Sequence, residues 1–318
     1  MGDRLRIAAA QIAPVWLDRA ATLARVVECI EGAGRQDVAL LAFGETLVPG
    51  YPFWLERSDA ARFDSPAHRR LHAHYLDQAV VIEAGHLDLV CEAARSARVA
   101  VVLGVAERPH ERGESVYASA VSIGPDGRIL AVHRKLVPTH EERLCWAPGD
   151  GHGLRCWSLG PFTVGVLNCW ENWMPLARAA LHGQGEDLHV ALWPGNVRNT
   201  ADITRFIAIE GRSYVLSASG LMRDGDVPDM LPEPELLQAA VADLPWARGG
   251  SCIAAPDGQW CVAPVEDHSG LLITEIDHAR LRAARQQFDP AGHYSRPDVL
   301  RLHVDRRRQR IARYIDEP

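Results

Sequence analysis

Short apolar runs alternate with amphipathic helical patterns along the first third of the chain. Helices repeat apolar residues at positions i, i+3, i+4 and i+7, whereas buried strands read as continuous apolar runs. The helical spacing is clear where Leu87, Val90, Cys91 and Ala94 share one face. The pattern predicts strand 5–13, helix 18–33, strand 38–43, helix 86–97 and strand 99–105. Strands that alternate with helices in this way are typical of α/β proteins.

Two later segments, 115–135 and 251–265, are predicted to form β-hairpins. Each contains Pro-Asp-Gly near its middle, where proline favours the turn and glycine adopts a positive φ. Their similarity indicates an internal duplication. Between the hairpins the pattern predicts three strands and two helices, at 162–169, 188–194, 214–220, 173–183 and 199–212.

No Gly/Ser-rich linker divides the 318 residues, so we expect a single domain over 1–318. The segment 222–248 carries four prolines and little periodicity, which predicts a long surface loop with a short helix near 235–242. The C-terminal tail 301–318 is locally basic. We expect a solvated helix or a subunit contact there rather than a nucleic-acid arm.

The charge balance argues against binding to nucleic acid or to an anionic membrane. Asp and Glu number 41 against 34 Lys and Arg, which gives a net charge of −7. No apolar stretch approaches the roughly 18 residues of a membrane-spanning helix. The seven cysteines are scattered without a C-x-x-C pair, so we predict reduced thiols in the cytoplasm and no metal site.

One cationic residue differs from all the others. Lys135 is the single lysine among the 34 Lys and Arg residues. A lysine ammonium is a compact point donor, whereas arginine presents a planar fork, so a site that needs the former does not accept the latter. Lys135 is therefore a candidate functional residue, although a tolerant surface position would explain it as well.

Cys169 ends the apolar strand 162–169 and precedes a predicted helix. A helix N-terminus and a nearby ammonium both favour the thiolate form that acts as a nucleophile. An inert buried cysteine is the alternative, but polar neighbours Asn168 and Glu171 disfavour a purely apolar role.

Glu45 lies just beyond strand 38–43, and Lys135 ends another strand. Sites of α/β proteins gather at such strand ends. A carboxylate near the Cys169 thiol can act as a general base, and the lysine can stabilise the charge of a tetrahedral intermediate. A helix cap or a surface acid is the alternative role for Glu45.

These residues lie in three blocks that resemble the nitrilase superfamily of carbon–nitrogen hydrolases. The blocks are FGETLVPGYP (43–52), HRKLVPTHEERLCWAPGDG (133–151) and GVLNCWENWMPLAR (165–178). With the opening AAAQIAP and the late GHYSRPDVLRL, the likeness extends from about residue 5 to 303. The resemblance implies an α/β fold, a four-layer αββα sandwich in which two sheets pack face to face.

The resemblance also implies catalytic roles, with Glu45 as general base, Lys135 as stabiliser of the intermediate and Cys169 as nucleophile. The second glutamate of the family falls on Glu142, which we expect to position Lys135 and the substrate or water. Glu141 is the rival for this role, but the spacing of the family favours Glu142.

Trp170 and Glu171 after the cysteine resemble the nitrilase branch, whereas amidase branches typically have Tyr and Asp there. This implies hydrolysis of a small organic nitrile through a thioimidate and a thioester to a carboxylic acid and ammonia. No metal or organic cofactor is implied. An amidase or carbamoylase of the same superfamily, or a cyanide-degrading enzyme, is the alternative.

Two other classes are disfavoured. A non-catalytic protein of this fold would have no reason to retain Glu45, Lys135, Glu142 and Cys169 together. A Cys/His peptidase would pair the thiol with a histidine, and the sequence singles out none.

Four aromatic residues near the blocks are candidates for an apolar nitrile pocket, although packing would explain each of them equally well. They are Tyr51, Trp146, Trp170 and Trp193. Members of the family assemble through subunit faces, and the segments 54–75 and 222–248 resemble assembly insertions. The resemblance thus implies a homodimer or a larger homo-oligomer.

Overall fold

Two β-sheets pack against each other in the computed structural model, which describes residues 3–228, 230–241, 247–312 and 315. Helices cover the outer face of each sheet, so the predicted α/β class and the four-layer αββα arrangement are confirmed.

The first sheet comes mainly from the N-terminal half of the chain. Its parallel part consists of β1 (Arg4–Gln11), β2 (Leu40–Phe43) and β3 (Ala100–Glu107). The antiparallel hairpin of β4 (Tyr117–Ile123) and β5 (Ile129–Arg134) continues the sheet beyond β3.

The second sheet repeats this plan. The parallel strands β7 (Phe162–Asn168), β8 (Leu188–Trp193) and β9 (Tyr214–Ser219) form its centre, and β6 (Trp157–Leu159) and β10 (Leu221–Met222) lie at its two edges. The hairpin of β11 (Ala247–Ala254) and β12 (Trp260–Glu266) follows β9. The last strand, β13 (Gly270–Asp277), returns to the first sheet and pairs with β1.

Both predicted Pro-Asp-Gly hairpins are present. Gly127 has a φ of 79° and Gly258 a φ of 78°, a conformation that strongly favours glycine. The shared plan of three parallel strands followed by an antiparallel hairpin agrees with the duplication that the sequence indicated.

The five predicted helices begin and end near the predicted positions. Asp18 caps the first long helix through its side chain, which accepts a hydrogen bond from Ala21 N at 2.9 Å. The helices are α1 (Arg19–Gly34), α2 (Trp54–Arg57), α3 (Pro66–Gln78), α4 (Asp88–Ala97), α5 (Pro175–His182), α6 (Val197–Gly211), α7 (Pro234–Val241) and α8 (His278–Ala284). Three of them, α2, α3 and α8, were not predicted. None of these described helices has both the length and the apolar character needed to span a membrane.

Three apolar layers hold the sandwich together. Side chains such as Ile7 and Val102 from the first sheet meet Val164 and Val190 from the second sheet in the central layer. The helices α1 and α4 cover the outer face of the first sheet, and α5 and α6 cover that of the second. Most side chains of the central layer are aliphatic, with Phe162 and Tyr214 among them.

The predicted surface segments 54–75 and 222–248 contact each other. Trp54, Tyr75 and Leu237 are buried in one apolar cluster, and Arg70 pairs with Glu233 at 2.5 Å. The predicted short helix is α7. Residues 229 and 242–246 lie outside the described residues, as do 313, 314 and 316–318 of the tail.

The described part of the basic tail is extended rather than helical. It packs beside the short segment 149–152, where Arg308 Nη1 lies 3.0 Å from Asp150 Oδ1 and Gln309 N donates to Asp150 Oδ2 at 2.9 Å.

Candidate active site

Glu45 lies in the turn that follows β2. Its backbone N–H donates to the Trp193 carbonyl oxygen at 3.1 Å, which joins this turn to the end of β8 in the other sheet. A side chain at Gly104 on β3 would collide with the carbonyl oxygen of Gly44. Glycine at that position therefore lets the Glu45 turn approach the sheet closely.

Lys135 directly follows β5, and its side chain is fully buried. Its Nζ lies 2.9 Å from Glu45 Oε1 and 2.7 Å from Glu142 Oε2. Its backbone N–H donates to Ala118 O at 2.8 Å and its carbonyl oxygen accepts from Gly149 N at 2.7 Å. The ammonium is thus held between two carboxylates by a rigid backbone.

Glu142 lies in a short 3₁₀ segment, His140–Leu144. Its Oε2 accepts a hydrogen bond from Thr139 N at 2.5 Å, and its Oε1 accepts one from the Tyr51 hydroxyl at 2.7 Å. Glu141, the rival in the sequence, pairs with His140 and is partly exposed. Of the two acidic neighbours, Glu142 is therefore the one that contacts Lys135.

Cys169 follows β7 and begins the 3₁₀ segment Cys169–Trp173. Its φ of 48° is sparsely populated by residues that carry a side chain, and such strain is common at functional sites. The thiol is buried, and the neighbouring backbone N–H of Trp170 lowers the pKa of this thiol, against the effect of burial. Glu45, Glu142 and Cys169 each place a side-chain donor atom within 4.8 Å of the other two.

Burial and charge set the protonation of this cluster. Burial raises the pKa of the Glu45 carboxyl to about 8, although Lys135 opposes the rise. Burial and the Glu45 carboxylate also raise the pKa of the Cys169 thiol, against the lowering effect of Lys135. Burial alone would lower the pKa of Lys135, but Cys169, Glu45 and Glu142 outweigh it and raise the pKa above its ordinary value. The lysine therefore stays charged, and the carboxyl and the thiol compete for protons.

The donor set of two carboxylates and a thiol could also hold a cation. The Lys135 ammonium already occupies the space between the two carboxylates. It supplies the positive charge that a metal ion would bring to this place.

A third buried carboxylate, to which the sequence interpretation gave no catalytic role, joins the two catalytic segments. Glu171 accepts hydrogen bonds from Asn168 N at 2.9 Å and from Leu136 N at 2.6 Å, on the chain next to Cys169 and next to Lys135. His133 Nε2 lies 3.0 Å from Glu171 Oε2, and this pairing lowers the pKa of the carboxyl although burial would raise it. The signal in the sequence was a charged residue beside the nucleophile.

The structure brings together only some of the four aromatic pocket candidates. Tyr51 and Trp146 pack edge to face with ring centroids 5.4 Å apart, and the Trp146 ring lies 5.6 Å from Lys135 Nζ. Trp193 is completely buried and donates through its indole N–H to Ser217 Oγ at 3.2 Å. Trp170 is 47% exposed, and its backbone N–H lowers the pKa of the Cys169 thiol.

Comparison with known proteins identifies a family that this chain matches. Residues 6–286 match the carbon–nitrogen hydrolase family. A protein named nitrilase 2, from an unknown prokaryotic organism, is 37% identical over 309 residues, which cover 96% of this chain and 95% of that protein. An aliphatic nitrilase of Rhodococcus rhodochrous is 32% identical, with 96% of this chain and 84% of the relative covered. An arylacetonitrilase of Macrophomina phaseolina is 31% identical, with 100% and 96% covered.

Solved structures with the same fold are more distant in sequence. A carbon–nitrogen hydrolase from Helicobacter pylori G27 superposes with a TM-score of 0.69 at 19% identity, over 93% of this chain and 96% of the other. An amidase from Nesterenkonia sp. gives a TM-score of 0.64 at 18% identity, over 90% and 95%. At such identities the likeness supports the fold alone.

Proposed function

This chain belongs to the carbon–nitrogen hydrolase family, and from that membership we propose that it is a nitrilase, which converts an organic nitrile and two waters into a carboxylic acid and ammonia. The observation that carries the proposal is the buried contact of a thiol, two carboxylates and the single lysine of the chain. The relatives named nitrilase match nearly the whole chain, which supports the same conclusion.

In the first step Glu45 takes the proton of the Cys169 thiol, and the sulfur forms a bond to the nitrile carbon. One electron pair of the triple bond moves to the nitrogen, which takes the proton back from Glu45 and leaves a thioimidate. Lys135 and the Trp170 N–H stabilise the negative charge that develops on the nitrogen. The Trp170 N–H lowers the pKa of the Cys169 thiol, which supports its role as a donor to negative charge at this place.

In the second step Glu45 takes a proton from a water whose oxygen bonds to the thioimidate carbon. The nitrogen takes this proton from Glu45 and then the proton of the new hydroxyl group, the carbon–nitrogen bond breaks with its electron pair on the nitrogen, ammonia leaves and a thioester remains. A second water then attacks in the same way, the carbon–sulfur bond breaks and the carboxylic acid leaves. The contact of Glu142 with Lys135 at 2.7 Å supports a role for Glu142 in positioning the ammonium and the attacking water.

The pocket residues are proposals of the same kind. Tyr51 and Trp146 lie at the catalytic cluster, which supports a contact between their rings and the group attached to the nitrile. Trp193 contributes its backbone carbonyl oxygen, which accepts from Glu45 N, and its indole is buried. Trp170 contributes its backbone N–H, and its exposed indole stays a proposed contact for the substrate.

A time course of ammonia, acid and amide release from matched aliphatic and aryl nitriles and amides, with cyanide included, tests this proposal. Ammonia and acid from nitriles, lost in Cys169→Ala, are the expected result. Turnover of amides alone would assign the chain to the amidase or carbamoylase branch. Release of ammonia from cyanide alone would make it a cyanide-degrading enzyme.

We further propose a single-domain cytoplasmic enzyme that forms a homodimer or a larger homo-oligomer. The shared apolar layer between the two sheets supports one domain. Free thiols at all seven cysteines agree with a reducing compartment. Trp173 and Phe206 stack with centroids 6.4 Å apart and are 43% and 47% exposed, which supports a subunit contact on the α5–α6 layer.

A further inference from the structure

The chain that follows the nucleophile is held by a row of buried polar side chains that the mechanism above does not use. Asn172 Nδ2 donates to the Cys169 carbonyl oxygen at 2.7 Å. The Oδ1 atom of the same amide lies 2.7 Å from His189 Nε2. His189 Nδ1 lies 2.9 Å from Glu186 Oε1, and all three side chains are buried.

The carbonyl of Cys169 fixes the direction of two bonds in this row. A carbonyl oxygen only accepts, so Asn172 turns its NH₂ group toward Cys169 and its oxygen toward His189. The amide oxygen also only accepts, so His189 Nε2 carries a hydrogen and donates it. The two bonds that run from His189 through Asn172 to the backbone of the nucleophile therefore have one orientation.

The neighbouring strand β7 leaves space for these side chains. Gly165 on β7 is the register partner of His189 on β8. A side chain at Gly165 would collide with the Glu186 carboxylate, so glycine leaves the space that this carboxylate fills. Arg178 Nη1 donates to the Asn172 carbonyl oxygen at 2.7 Å and fixes the backbone as well.

The peptide between Cys169 and Trp170 is the group that this row orients. In a planar trans peptide the C=O and the N–H point in opposite directions. Because Asn172 holds the Cys169 C=O on one side, the Trp170 N–H is directed to the other side, where the sulfur lies. The positive φ of Cys169, 48°, is a conformation that needs such support.

We propose that Asn172, held by His189 and Glu186, is a positioning residue for the oxyanion-type donor of this site. It keeps the Trp170 N–H aimed at the atom that becomes negative when the sulfur attacks. The inference rests on the proposed function, in which that N–H stabilises the first intermediate. Loss of one such donor typically lowers kcat by about 10²–10³, so a misdirected donor should lower it at least about tenfold.

Aldehydes provide a probe that is independent of nitrile turnover. The Cys169 sulfur adds to the aldehyde carbon, the C=O electron pair moves to the oxygen, and no group leaves. The negative oxygen is then expected to accept a hydrogen bond from the Trp170 N–H. Calorimetry gives the dissociation constants of a panel of aliphatic and aryl aldehydes, which measure how well the Trp170 N–H stabilises the negative oxygen. The rate at which iodoacetamide alkylates Cys169 measures the reactivity of the thiol alone.

Asn172→Asp is the informative variant, because it keeps the shape of the side chain and removes the donor to Cys169. We expect kcat to fall and the aldehyde dissociation constant to rise at least about tenfold, while KM and the alkylation rate stay within about threefold. Tyr214→Phe is the matched control. It deletes two partly buried hydrogen bonds, from the Tyr214 hydroxyl to Asp277 O at 3.1 Å and from Asp277 N to that hydroxyl at 3.2 Å. These lie on the face of the sheet that packs against the first sheet, so the variant should leave all four quantities unchanged.

His189 supplies a second, independent test. His189→Leu should reproduce part of the loss, because Asn172 then lacks its donor, and His189→Gln should restore some of it. Since His189 acts through Asn172, the double variant with Asn172→Asp should be no worse than Asn172→Asp alone.

Three results would overturn the inference. They are an Asn172→Asp variant with kcat and aldehyde binding within about threefold of the original, an equal loss in the alkylation rate, or additive losses in the double variant. If the original protein hydrolyses no nitrile, the proposed function fails, and the aldehyde constants still decide the positioning role.

Discussion

The Lys135 ammonium is a small group in a small space. It contacts Glu45 at 2.9 Å and Glu142 at 2.7 Å and is shielded from solvent. A guanidinium is broader and donates in a fixed plane, so it would displace one of the two carboxylates. The chain uses arginine at every other cationic position, and this geometry explains why it does not do so here.

Lys135→Arg is therefore expected to reduce kcat by at least about 10²-fold, because both the base and the electrostatic stabiliser move. The measurement is ammonia release under saturating nitrile. Arg134→Lys at the preceding position is the matched control, since Arg134 pairs with Glu107 and not with the catalytic cluster. Substantial activity in Lys135→Arg would contradict the assigned role.

The pH dependence of activity follows from Glu45. The pKa of this carboxyl is raised to about 8 by burial, and it must be ionised to accept a proton. We expect kcat/KM to rise with pH and to level off above an apparent pKa near 8. An acidic limb of the kcat/KM profile with an apparent pKa near the ordinary value of 4.5 would contradict the role of the buried Glu45 carboxylate as the base.

The same raised pKa predicts how stability depends on pH. The folded protein keeps a proton on Glu45 between pH 4.5, its ordinary pKa, and about 8, whereas the unfolded chain has released it. The contribution of Glu45 to the free energy of unfolding is thus complete below pH 4.5 and is lost as the pH rises to about 8. Urea unfolding across this range should show a steeper fall in the original protein than in Glu45→Gln, and equal slopes would contradict this prediction.

At the scale of single residues, the sequence led to the thiol, the lysine and the carboxylates because their chemistry at strand ends is distinctive. The roles of these residues stay predictions until they are measured. Asn172 and His189 were missed because their contact joins positions 17 apart on different elements, and only the packing of β8 beside β7 creates it.

At the scale of elements, hydrophobic periodicity predicted the long helices and the buried strands well. It missed α3 because Leu71 and Tyr75 are the only fully buried side chains of that helix. It missed β13 because Gly270–Asp277 is mostly half-buried and lacks a continuous apolar run. Segments with such weak patterns form regular structure through contacts with neighbouring elements, as β13 does when it pairs with β1.

Glu171 links two of these elements, so its replacement should affect both. In Glu171→Gln, one of the oxygens that accept from Asn168 N and Leu136 N becomes an NH₂ group that cannot accept. We expect the free energy of unfolding to fall by about 1–3 kcal/mol and kcat to fall as well. Denaturant unfolding and steady-state kinetics give the two quantities.

Glu141→Gln is the control for that experiment, because Glu141 is partly exposed and pairs with His140 outside the cluster. It should change neither quantity appreciably. Unchanged stability in Glu171→Gln would show that this carboxylate does not hold the segments together.

At the scale of the whole molecule, each sheet buries one face against the other and one against helices, which is the arrangement that the family resemblance implied. The hydrophobic pattern predicted strands and helices, whereas the layers and the assembly were implied by the resemblance. The proposed subunit contact involves exposed positions on and beside α5 and α6, where single apolar residues carry no period of their own.

The assembly prediction is tested by Phe206→Glu. Phe206 is 47% exposed and stacks on Trp173, so a carboxylate there should weaken association and lower the mass found by light scattering. Leu89→Glu on α4 is the control, since Leu89 is 74% exposed on the opposite outer layer. Equal masses for all three proteins would place any subunit contact elsewhere.

In the proposed mechanism Cys169 attacks the nitrile carbon, with Glu45 as the base and Lys135 as the stabiliser of the developing charge. Mass spectrometry of acid-quenched reactions tests this most directly, with Cys169→Ala measured in parallel. We predict that the peptide containing Cys169 gains either the mass of the nitrile, as a thioimidate, or that of the acyl group, as a thioester. An adduct on another cysteine, or continued release of ammonia by Cys169→Ala, would contradict the account.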